Sequence, residues 1–391
     1  MRRILTVLTG IFICMALFWA PTTTSAQQPA NPTEPYTGEV LCQPNVYTTQ
    51  PGHCLPLGPS DVLTQMARQG ITYPPLPLAA TSAGPEYNFV PFNYAKINLE
   101  GDEPAPKFAS LADAVARQNP TRYLPAGHGL RFVSFIERVD VDGKAYVRLR
   151  SGEWMRASPA RVLSTFQGLI FRSNPRSAFG WIIQQVTPVA APSFSAPPSG
   201  AMLQRETRVT IHQVVEAEGI KWYMIGINQW VNRLALRQFV LNTTPPNGVT
   251  NNRWIEINLY EQTVAAYENG RLIFATLGAS GAEPYFTRPG LFQIYDKREA
   301  DTMQGAFRAD RSDLYYLADV PWTMYYDESR AIHGAYWRAA FGFEQSAGCV
   351  NLSLADSRWL FEWAQIGDWV YVHDPSGRTP TDDSEYTSGG A

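Results

Sequence analysis

Residues 333–350, "HGAYWRAAFGFEQSAGCV", contain His333 and Cys349, two residue types that this chain uses sparingly. The 391 residues include only five histidines and four cysteines. A cysteine attacks as its thiolate, and a free thiol is mostly protonated at neutral pH, so a reactive cysteine needs a nearby base or a positive field. An imidazole titrates near neutrality and can accept that proton. The pair therefore predicts a nucleophile, Cys349, with His333 as its base.

The residues around the cysteine suit this chemistry. Gly348 permits a tight turn whose main-chain amides could face a developing oxyanion, and Ser346 and Asn351 add hydrogen-bonding side chains. Three alternatives stay open. The thiol could be a small buried hydrophobe, the base could be His373, or both histidines and the cysteine could bind zinc, although no short ligand spacing favours a metal.

The N-terminal residues, whose apolar stretch includes Cys14, indicate an exported protein. Two arginines, an apolar stretch over 4–20 and small residues before Gln27 are typical of a secretory signal peptide over 1–26. An uncleaved membrane anchor is the alternative, because seventeen apolar residues are close to the minimum for a bilayer span. In an oxidising compartment Cys42 and Cys54, with eleven residues between them, are expected to form a disulfide. Cys349 is then left unpaired.

Composition limits the classes of function. Hydrophobic residues make up 45% and aromatic residues 13% of the chain, which indicates a folded protein. The net charge is only -3 and no long run of one sign occurs, so the sequence gives no sign of nucleic-acid binding.

Proline-rich stretches at 73–85, 187–201 and 242–252 divide the chain, since proline disfavours both sheet and helix hydrogen bonding. Between them, two segments align with Gly143 over Gly219, and each shows alternating apolar runs joined by glycine-bearing turns. They resemble small Src-homology-type barrels. The alternative is one irregular β domain.

The last part of the chain gives clearer signals. Alternating runs joined by Asn269 and Gly270 predict an antiparallel hairpin, and Ser353 with Asp356 predicts a capped helix that ends at Gly367. The predicted fold class is mainly β, with a C-terminal β-sandwich-like catalytic domain and a short helix, preceded by small β-barrel-like modules. The predicted boundaries are a signal peptide at 1–26, an N-terminal disulfide-containing segment at 27–85, small β modules at 86–186 and 202–246, a catalytic domain at 251–375 and a disordered tail at 376–391.

The motifs "IHG" and "SAGCVNLS", with their histidine and cysteine sixteen positions apart, together with "TRPGLFQI", resemble the L,D-transpeptidases of bacterial cell walls, the YkuD-type domain. The resemblance covers roughly 253–373. It implies Cys349 as nucleophile and His333 as base. It also implies oxyanion or positioning roles for other residues, namely Ser346, Gly348, Asn351 and Gly334. Candidate substrate contacts are Tyr336, Trp337 and Arg338, the last for a carboxylate. Ala347 departs from the His or Lys that many relatives have there.

The resemblance implies attack on a peptidoglycan tetrapeptide stem, release of D-Ala through a thioester, and cross-linking to a neighbouring stem. Such an enzyme needs no cofactor or metal, no stable protein partner is expected, carbapenem β-lactams are expected inhibitors, and the protein is expected at the cell wall. Hydrolysis instead of transfer would make it an L,D-carboxypeptidase. The rival classes are a non-catalytic wall-binding protein and a cysteine peptidase, in which the cysteine usually precedes the histidine.

Overall fold

The computed structural model describes most of the chain beyond the N-terminal region. The described residues are Gln69, Ile71 and 78–386 without 100–102, 163 and 309. From position 70 onward the chain forms one compact unit. The predicted signal peptide and the predicted Cys42–Cys54 disulfide lie outside the described residues. Within the described part, no helix is long and apolar enough to cross a membrane.

The described part of the chain is mainly β, as predicted, and its two α-helices are α1 (Leu111–Ala116) and α2 (Leu354–Trp363). Two short 3-10 helices cover Pro85–Asn88 and Asp383–Tyr386. The first strands are β1 (Ala80–Thr81), β2 (Asn93–Lys96), β3 (Ala105–Phe108), β4 (Pro120–Leu124), β5 (Arg131–Phe135), β6 (Glu137–Val141), β7 (Lys144–Arg148), β8 (Trp154–Arg156), β9 (Ser158–Ala160), β10 (Leu169–Phe171), β11 (Ala178–Ile182) and β12 (Arg208–Ile211). The remaining strands are β13 (Gln213–Ala217), β14 (Ile220–Gly226), β15 (Gln229–Asn232), β16 (Leu236–Phe239), β17 (Arg253–Asn258), β18 (Thr263–Glu268), β19 (Arg271–Leu277), β20 (Gly290–Gln293), β21 (Asp296–Gly305), β22 (Tyr315–Asp327), β23 (Arg330–Gly334), β24 (Val350–Leu352) and β25 (Trp369–His373).

Two seven-stranded sheets form the centre of the fold. The first has the order β1-β10-β19-β18-β17-β25-β20, and the second has the order β24-β23-β22-β5-β2-β9 with β21 paired to β22. One apolar core contains residues of both sheets and of α2, among them Phe274, Ile332 and Leu360. Because the two sheets and α2 share this core, the strand that carries His333 (β23) has a rigid base.

Three smaller sheets complete the architecture: β4-β3-β8-β7-β6, β12-β11-β16 and β13-β14-β15. The two segments that align in sequence both form hairpins, β6 with β7 and β13 with β14. Gly143 and Gly219 lie in the two turns with φ of 71° and 75°, a conformation that glycine adopts without strain. The predicted hairpin at Asn269 and Gly270 also forms, between β18 and β19.

Helix α2 begins as predicted and ends earlier than predicted. Ser353 Oγ accepts a hydrogen bond from the Asp356 amide at 3.1 Å, which caps the helix start. The last helical residue is Trp363, because Ala364 has extended backbone angles and Lys297 Nζ donates to the carbonyl oxygens of Phe361 and Ala364. A lysine from another strand thus satisfies the terminal carbonyl groups.

The prediction of a disordered tail is wrong for residues 376–386. The Asp374 carboxylate accepts hydrogen bonds from the Thr379 amide and hydroxyl, both at 2.8 Å. Tyr386 is only 5% exposed, and its hydroxyl donates to the Pro380 carbonyl at 2.7 Å. These local bonds and one buried aromatic ring order a segment whose composition is otherwise polar.

A long hairpin that the sequence analysis did not predict, β21 with β22, lies beside the cysteine. Its second strand pairs in parallel with β5, Tyr316 with Arg131 and Leu317 with Phe132. Near the tip, the His128 amide donates to the Ser312 carbonyl at 2.8 Å. Strand β5 and the residues around His128, both within the predicted module at 86–186, therefore hold this hairpin in a continuous sheet.

Asp356 ties α2 to two other parts of the fold, which gives a test of stability. Its fully buried carboxylate accepts hydrogen bonds from the Gly168 amide at 2.7 Å and the Thr276 hydroxyl at 2.5 Å. We expect Asp356→Ala to lower the free energy of unfolding by about 2–4 kcal/mol, because two buried donors lose their acceptor. Urea denaturation measures this. The matched control is Asp113→Ala at the exposed start of α1, where a clearly smaller change is expected; equal losses would contradict the argument.

Candidate active site

Two neighbouring parallel strands position the predicted residues. In the pairing of β23 with β24, His333 lies opposite Asn351 and Ile332 opposite Val350. Cys349 immediately precedes β24, two residues before Asn351, so both side chains point to the face of the sheet that also carries His333. The structure therefore brings His333, Cys349 and Asn351 together.

The Cys349 thiol is buried and protonated in this state. The residue is 8% exposed, and its Sγ donates a weak hydrogen bond to the Ser329 carbonyl at 3.8 Å. Burial raises the pKa of the thiol above its ordinary value, while a hydrogen bond from the Ala331 backbone and the positive charge of Arg330 lower it. The effect of burial is the largest of the three, so the pKa of the thiol is raised overall and the thiolate is a minor species at neutral pH.

The His333 ring is held at both nitrogens. Nδ1 lies 3.1 Å from the Gly334 carbonyl oxygen and Nε2 lies 3.2 Å from Asn351 Nδ2. A carbonyl only accepts and an amide nitrogen only donates, so these contacts assign the proton to Nδ1 and leave Nε2 as the acceptor. Burial lowers the pKa of this imidazole to about 4. His333 is thus a neutral base at physiological pH.

No direct hydrogen bond joins the thiol to the imidazole within the described residues. Sγ points toward Ser329, whereas the base lies further along β23. Catalytic contacts are often long in the absence of substrate.

Arg338 completes the support of His333. Its guanidinium donates through Nε to Asn351 Oδ1, through one terminal nitrogen to Gln345 Oε1 at 3.0 Å, and through the other to the Gln345 carbonyl. The bond to Oδ1 turns the amide so that Nδ2 faces the imidazole. Within the described residues no carboxylate pairs with this arginine, and burial lowers its pKa to about 10, which leaves it charged at neutral pH.

The turn before Cys349 is fixed by hydroxyl groups. Ser346 Oγ donates to the Cys349 carbonyl and accepts from the Gly348 amide at 3.2 Å, so this amide is engaged rather than free. Gly348 has φ of 115°, which a side chain would strain. Thr287 Oγ1 donates to the Gly348 carbonyl and accepts from the Gly281 amide, both at 2.8 Å. The motif "TRPGLFQI" was the sequence signal for Thr287.

Thr287→Val tests whether this turn matters for reactivity. The variant keeps the shape but removes the hydroxyl that holds Gly348, so we expect acylation of Cys349 to slow by about tenfold, equivalent to one net hydrogen bond. The rate of carbapenem adduct formation, followed by intact mass, measures this. Thr323→Val is the matched control, since Thr323 is equally buried and its hydroxyl bonds to Val320 within the same strand. Equal slowing in both variants would indicate a general loss of stability.

Tyr336 and Gly334 have contacts that differ from those predicted for them. Tyr336 is 2% exposed, its hydroxyl donates to the Ala318 carbonyl at 3.0 Å and its ring stacks on Tyr94. The expectation that it contacts substrate is therefore corrected, because its polar and apolar surfaces are both used in the core. Gly334 orients His333 through its carbonyl, and it packs against Ser357 of α2. Trp337 is half-buried, 5.8 Å from the His333 ring, and stays a candidate substrate contact.

His373 does not join this site. Its Nε2 lies 3.0 Å from Glu256 Oε1, and the residue is in β25 of the other large sheet, opposite Asn258. Among the described residues, no group of three His, Cys, Asp or Glu side chains is arranged to hold a metal ion.

Comparison with known proteins identifies the domain that carries this site. Residues 252–372 match the YkuD family, described as the L,D-transpeptidase catalytic domain. This segment of the chain, which contains His333 and Cys349, is therefore similar to that catalytic domain. No curated protein matches the chain.

Solved structures of L,D-transpeptidases are similar to part of the chain. An L,D-transpeptidase from Stackebrandtia nassauensis is 24% identical, covers 34% of this chain and 58% of its own, with a TM-score of 0.26. The Enterococcus faecium L,D-transpeptidase C442S mutant is 25% identical. The match covers 31% of this chain and 50% of the mutant's chain, with a TM-score of 0.29. The catalytic domain from the E. faecium L,D-transpeptidase acylated by ertapenem is 26% identical. The match covers 32% of this chain and 100% of that domain, with a TM-score of 0.29. This chain thus spans about half the length of the first two relatives.

Proposed function

We propose that this protein is a cysteine-dependent L,D-transpeptidase that cross-links peptidoglycan stem peptides. The observation that carries the proposal is the parallel pairing of β23 with β24, in which His333 lies opposite Asn351, two residues after Cys349, inside the segment that matches the family. The neutral imidazole, whose Nε2 carries the lone pair and accepts from the Asn351 amide, supports a role as general base.

The proposed first half-reaction forms a thioester. The Cys349 thiol turns toward His333 and gives its proton to Nε2, and the sulfur attacks the carbonyl carbon before the terminal D-Ala of a tetrapeptide stem. The C–N bond breaks, and the departing D-Ala nitrogen takes the proton from the imidazolium. The Gly334 carbonyl holds the ring at Nδ1 during both transfers, whereas the Asn351 amide donates to Nε2 only while that nitrogen is unprotonated and turns away when Nε2 takes the proton.

The second half-reaction releases the enzyme. An amine of a neighbouring stem attacks the thioester carbonyl and loses a proton to His333, the C–S bond breaks, and the proton returns to sulfur. Water in place of the amine would give an L,D-carboxypeptidase product. The thiol and the imidazole are both buried, and this supports transfer over hydrolysis, because a buried site limits access of water.

Arg338 is the proposed recognition group for a substrate carboxylate. It is charged at neutral pH, and its observed partners are the neutral oxygens of Asn351 and Gln345. A carboxylate that docks there would gain a charge-assisted, bidentate contact. We further propose carbapenem β-lactams as inhibitors that acylate Cys349, and export to the cell wall as the location. The latter rests on the N-terminal sequence alone.

A defined substrate tests the proposal directly. The purified protein is incubated with a disaccharide tetrapeptide, and mass spectrometry follows D-Ala release and the mass of the dimer. We expect a dimer whose formation requires the terminal D-Ala, since the thioester forms only when it leaves. A control substrate that already lacks D-Ala should stay monomeric. Release of D-Ala without a dimer would identify a carboxypeptidase, and no change in either species would contradict an enzymatic role.

A further inference from the structure

Arg330 is a buried arginine whose guanidinium is only partly satisfied. The residue is 3% exposed, its NH1 donates to Asp327 Oδ2 at 3.0 Å, and its NH2 donates to the Tyr386 carbonyl at 3.2 Å. The ring of Tyr386 also lies 5.3 Å from the guanidinium carbon. Its Nε, although buried, has no hydrogen-bond partner within the described part of the chain. A buried donor without a partner needs an explanation.

The unpaired Nε lies at the turn that carries the nucleophile. A Cβ built on Gly348 would have Arg330 Nε as its nearest neighbour, at 3.5 Å, followed by Cγ and Cδ of the same side chain. Arg330 also lines a small cavity with Ala347 and Glu385, among others, with space for about one water molecule at 20 Å³. The positive group therefore lies directly under the residues that precede Cys349.

Arg330 is the cation that acts on the thiol. The other titratable groups that interact with Cys349 are Tyr315, Tyr325 and Tyr326, and burial raises the pKa of all three phenols, so they are uncharged at neutral pH. His333 is neutral as well, because burial lowers its pKa to about 4. Among these groups, Arg330 is therefore the one positive charge that could stabilise a thiolate at Cys349.

We propose that Arg330 stabilises the Cys349 thiolate electrostatically, and that Asp327 and the C-terminal segment around Tyr386 hold the guanidinium in place for this role. The proposal rests on the proposed function only in taking Cys349 as the nucleophile. Arg330 acts through its field on the sulfur and through the Gly348 turn, so it is a positioning residue rather than one that touches substrate.

Its surroundings explain how the charge stays available. Asp327 is buried and shared, because Arg288 Nε also donates to its Oδ2 at 3.0 Å. Two guanidinium groups thus divide one carboxylate, and Arg288 extends to Asp383 of the C-terminal segment. Because the Asp383 side chain is 83% exposed and screened by solvent, the shared Asp327 carboxylate does not fully neutralise the buried guanidinium of Arg330, which favours an anion nearby. Glu385, on the far side of the cavity, is exposed and screened by solvent.

The test measures the thiol and needs no substrate. The rate of Cys349 alkylation by iodoacetamide is followed from pH 6 to pH 11 by mass spectrometry of the peptide that contains it. We expect Arg330→Gln to raise the midpoint of the profile by about one pH unit and to slow alkylation at pH 7.5 by about tenfold, because one unit corresponds to a tenfold change in thiolate. Arg330→Lys keeps the charge and should shift the midpoint less.

Arg288→Gln is the matched control, since it also removes a partner of Asp327 but does not lie against Gly348. Its alkylation profile should shift clearly less than that of Arg330→Gln. An unshifted profile in Arg330→Gln, or an equal shift in Arg288→Gln, overturns the proposal. If Arg330→Gln does not fold by circular dichroism, Tyr386→Ala removes the ring that packs on the guanidinium and should shift the midpoint in the same direction. No shift there overturns the proposal too.

The outcome is separable from that of the proposed function. A shifted alkylation profile in a protein that forms no stem dimer would support the role of Arg330 and contradict transpeptidation. An unshifted profile in a protein that does form dimers would contradict only the role of Arg330.

Discussion

Cys349→Ala is expected to lower dimer formation by at least about 10³-fold and to prevent the mass increase that a carbapenem causes in the unmodified protein. Without the sulfur no thioester can form, and loss of a covalent nucleophile costs orders of magnitude in rate. The folded state should persist, because the change removes one small, weakly bonded atom, at a cost of about 1 kcal/mol. Intact mass spectrometry and thermal unfolding measure the two effects.

Cys349→Ser is the companion variant. It is nearly isosteric and keeps a hydrogen-bond donor toward Ser329, so its stability should equal that of the unmodified protein while its turnover is lost. Carbapenem labelling of Cys349→Ala at the rate of the unmodified protein would place the reactive group elsewhere. Unfolding of both variants would favour a structural role for the thiol.

The features that the sequence predicted correctly depend on neighbours in the chain. The hairpin at Asn269 and Gly270 follows from two residues that tolerate positive φ. The start of α2 follows from Ser353 and its bond to the Asp356 amide. His333 and Cys349, whose catalytic roles stay predictions, stand out for a similar reason, because their chemistry is rare in the chain and each lies next to glycine. Such signals need no knowledge of the remaining fold.

The features that the sequence did not predict depend on distant contacts. The hairpin β21–β22 is placed by its pairing with β5, about 185 positions earlier, and no local pattern encodes a partner that far away. The orientation of His333 depends on Asn351 and Arg338, which approach only when β23 and β24 pair. The ordered tail depends on Arg330, which binds the Tyr386 carbonyl.

His333→Gln is expected to lower turnover by about 10²–10⁴-fold, the usual contribution of a positioned acid–base group. The glutamine amide can still donate to the Gly334 carbonyl, but it cannot accept the thiol proton. Dimer formation measures the loss. The matched control is His212→Gln, a half-buried histidine between β12 and β13 whose pKa burial also lowers. It should keep full activity, and equal losses in both variants would show that turnover follows stability instead.

The same variant should change the pH dependence of stability. The unfolded histidine has a pKa of about 6.5, whereas the folded His333 has a pKa of about 4 because it is buried. Between these values the unfolded chain binds a proton that the folded chain does not, so this group's stabilisation is complete above pH 6.5 and is lost as pH falls toward 4. The unmodified protein should therefore lose up to about 3 kcal/mol relative to His333→Gln over this range. Urea denaturation at several pH values measures the difference between the two proteins, and parallel curves would mean that the imidazole has the same pKa in the folded and unfolded chains, so that burial does not lower it.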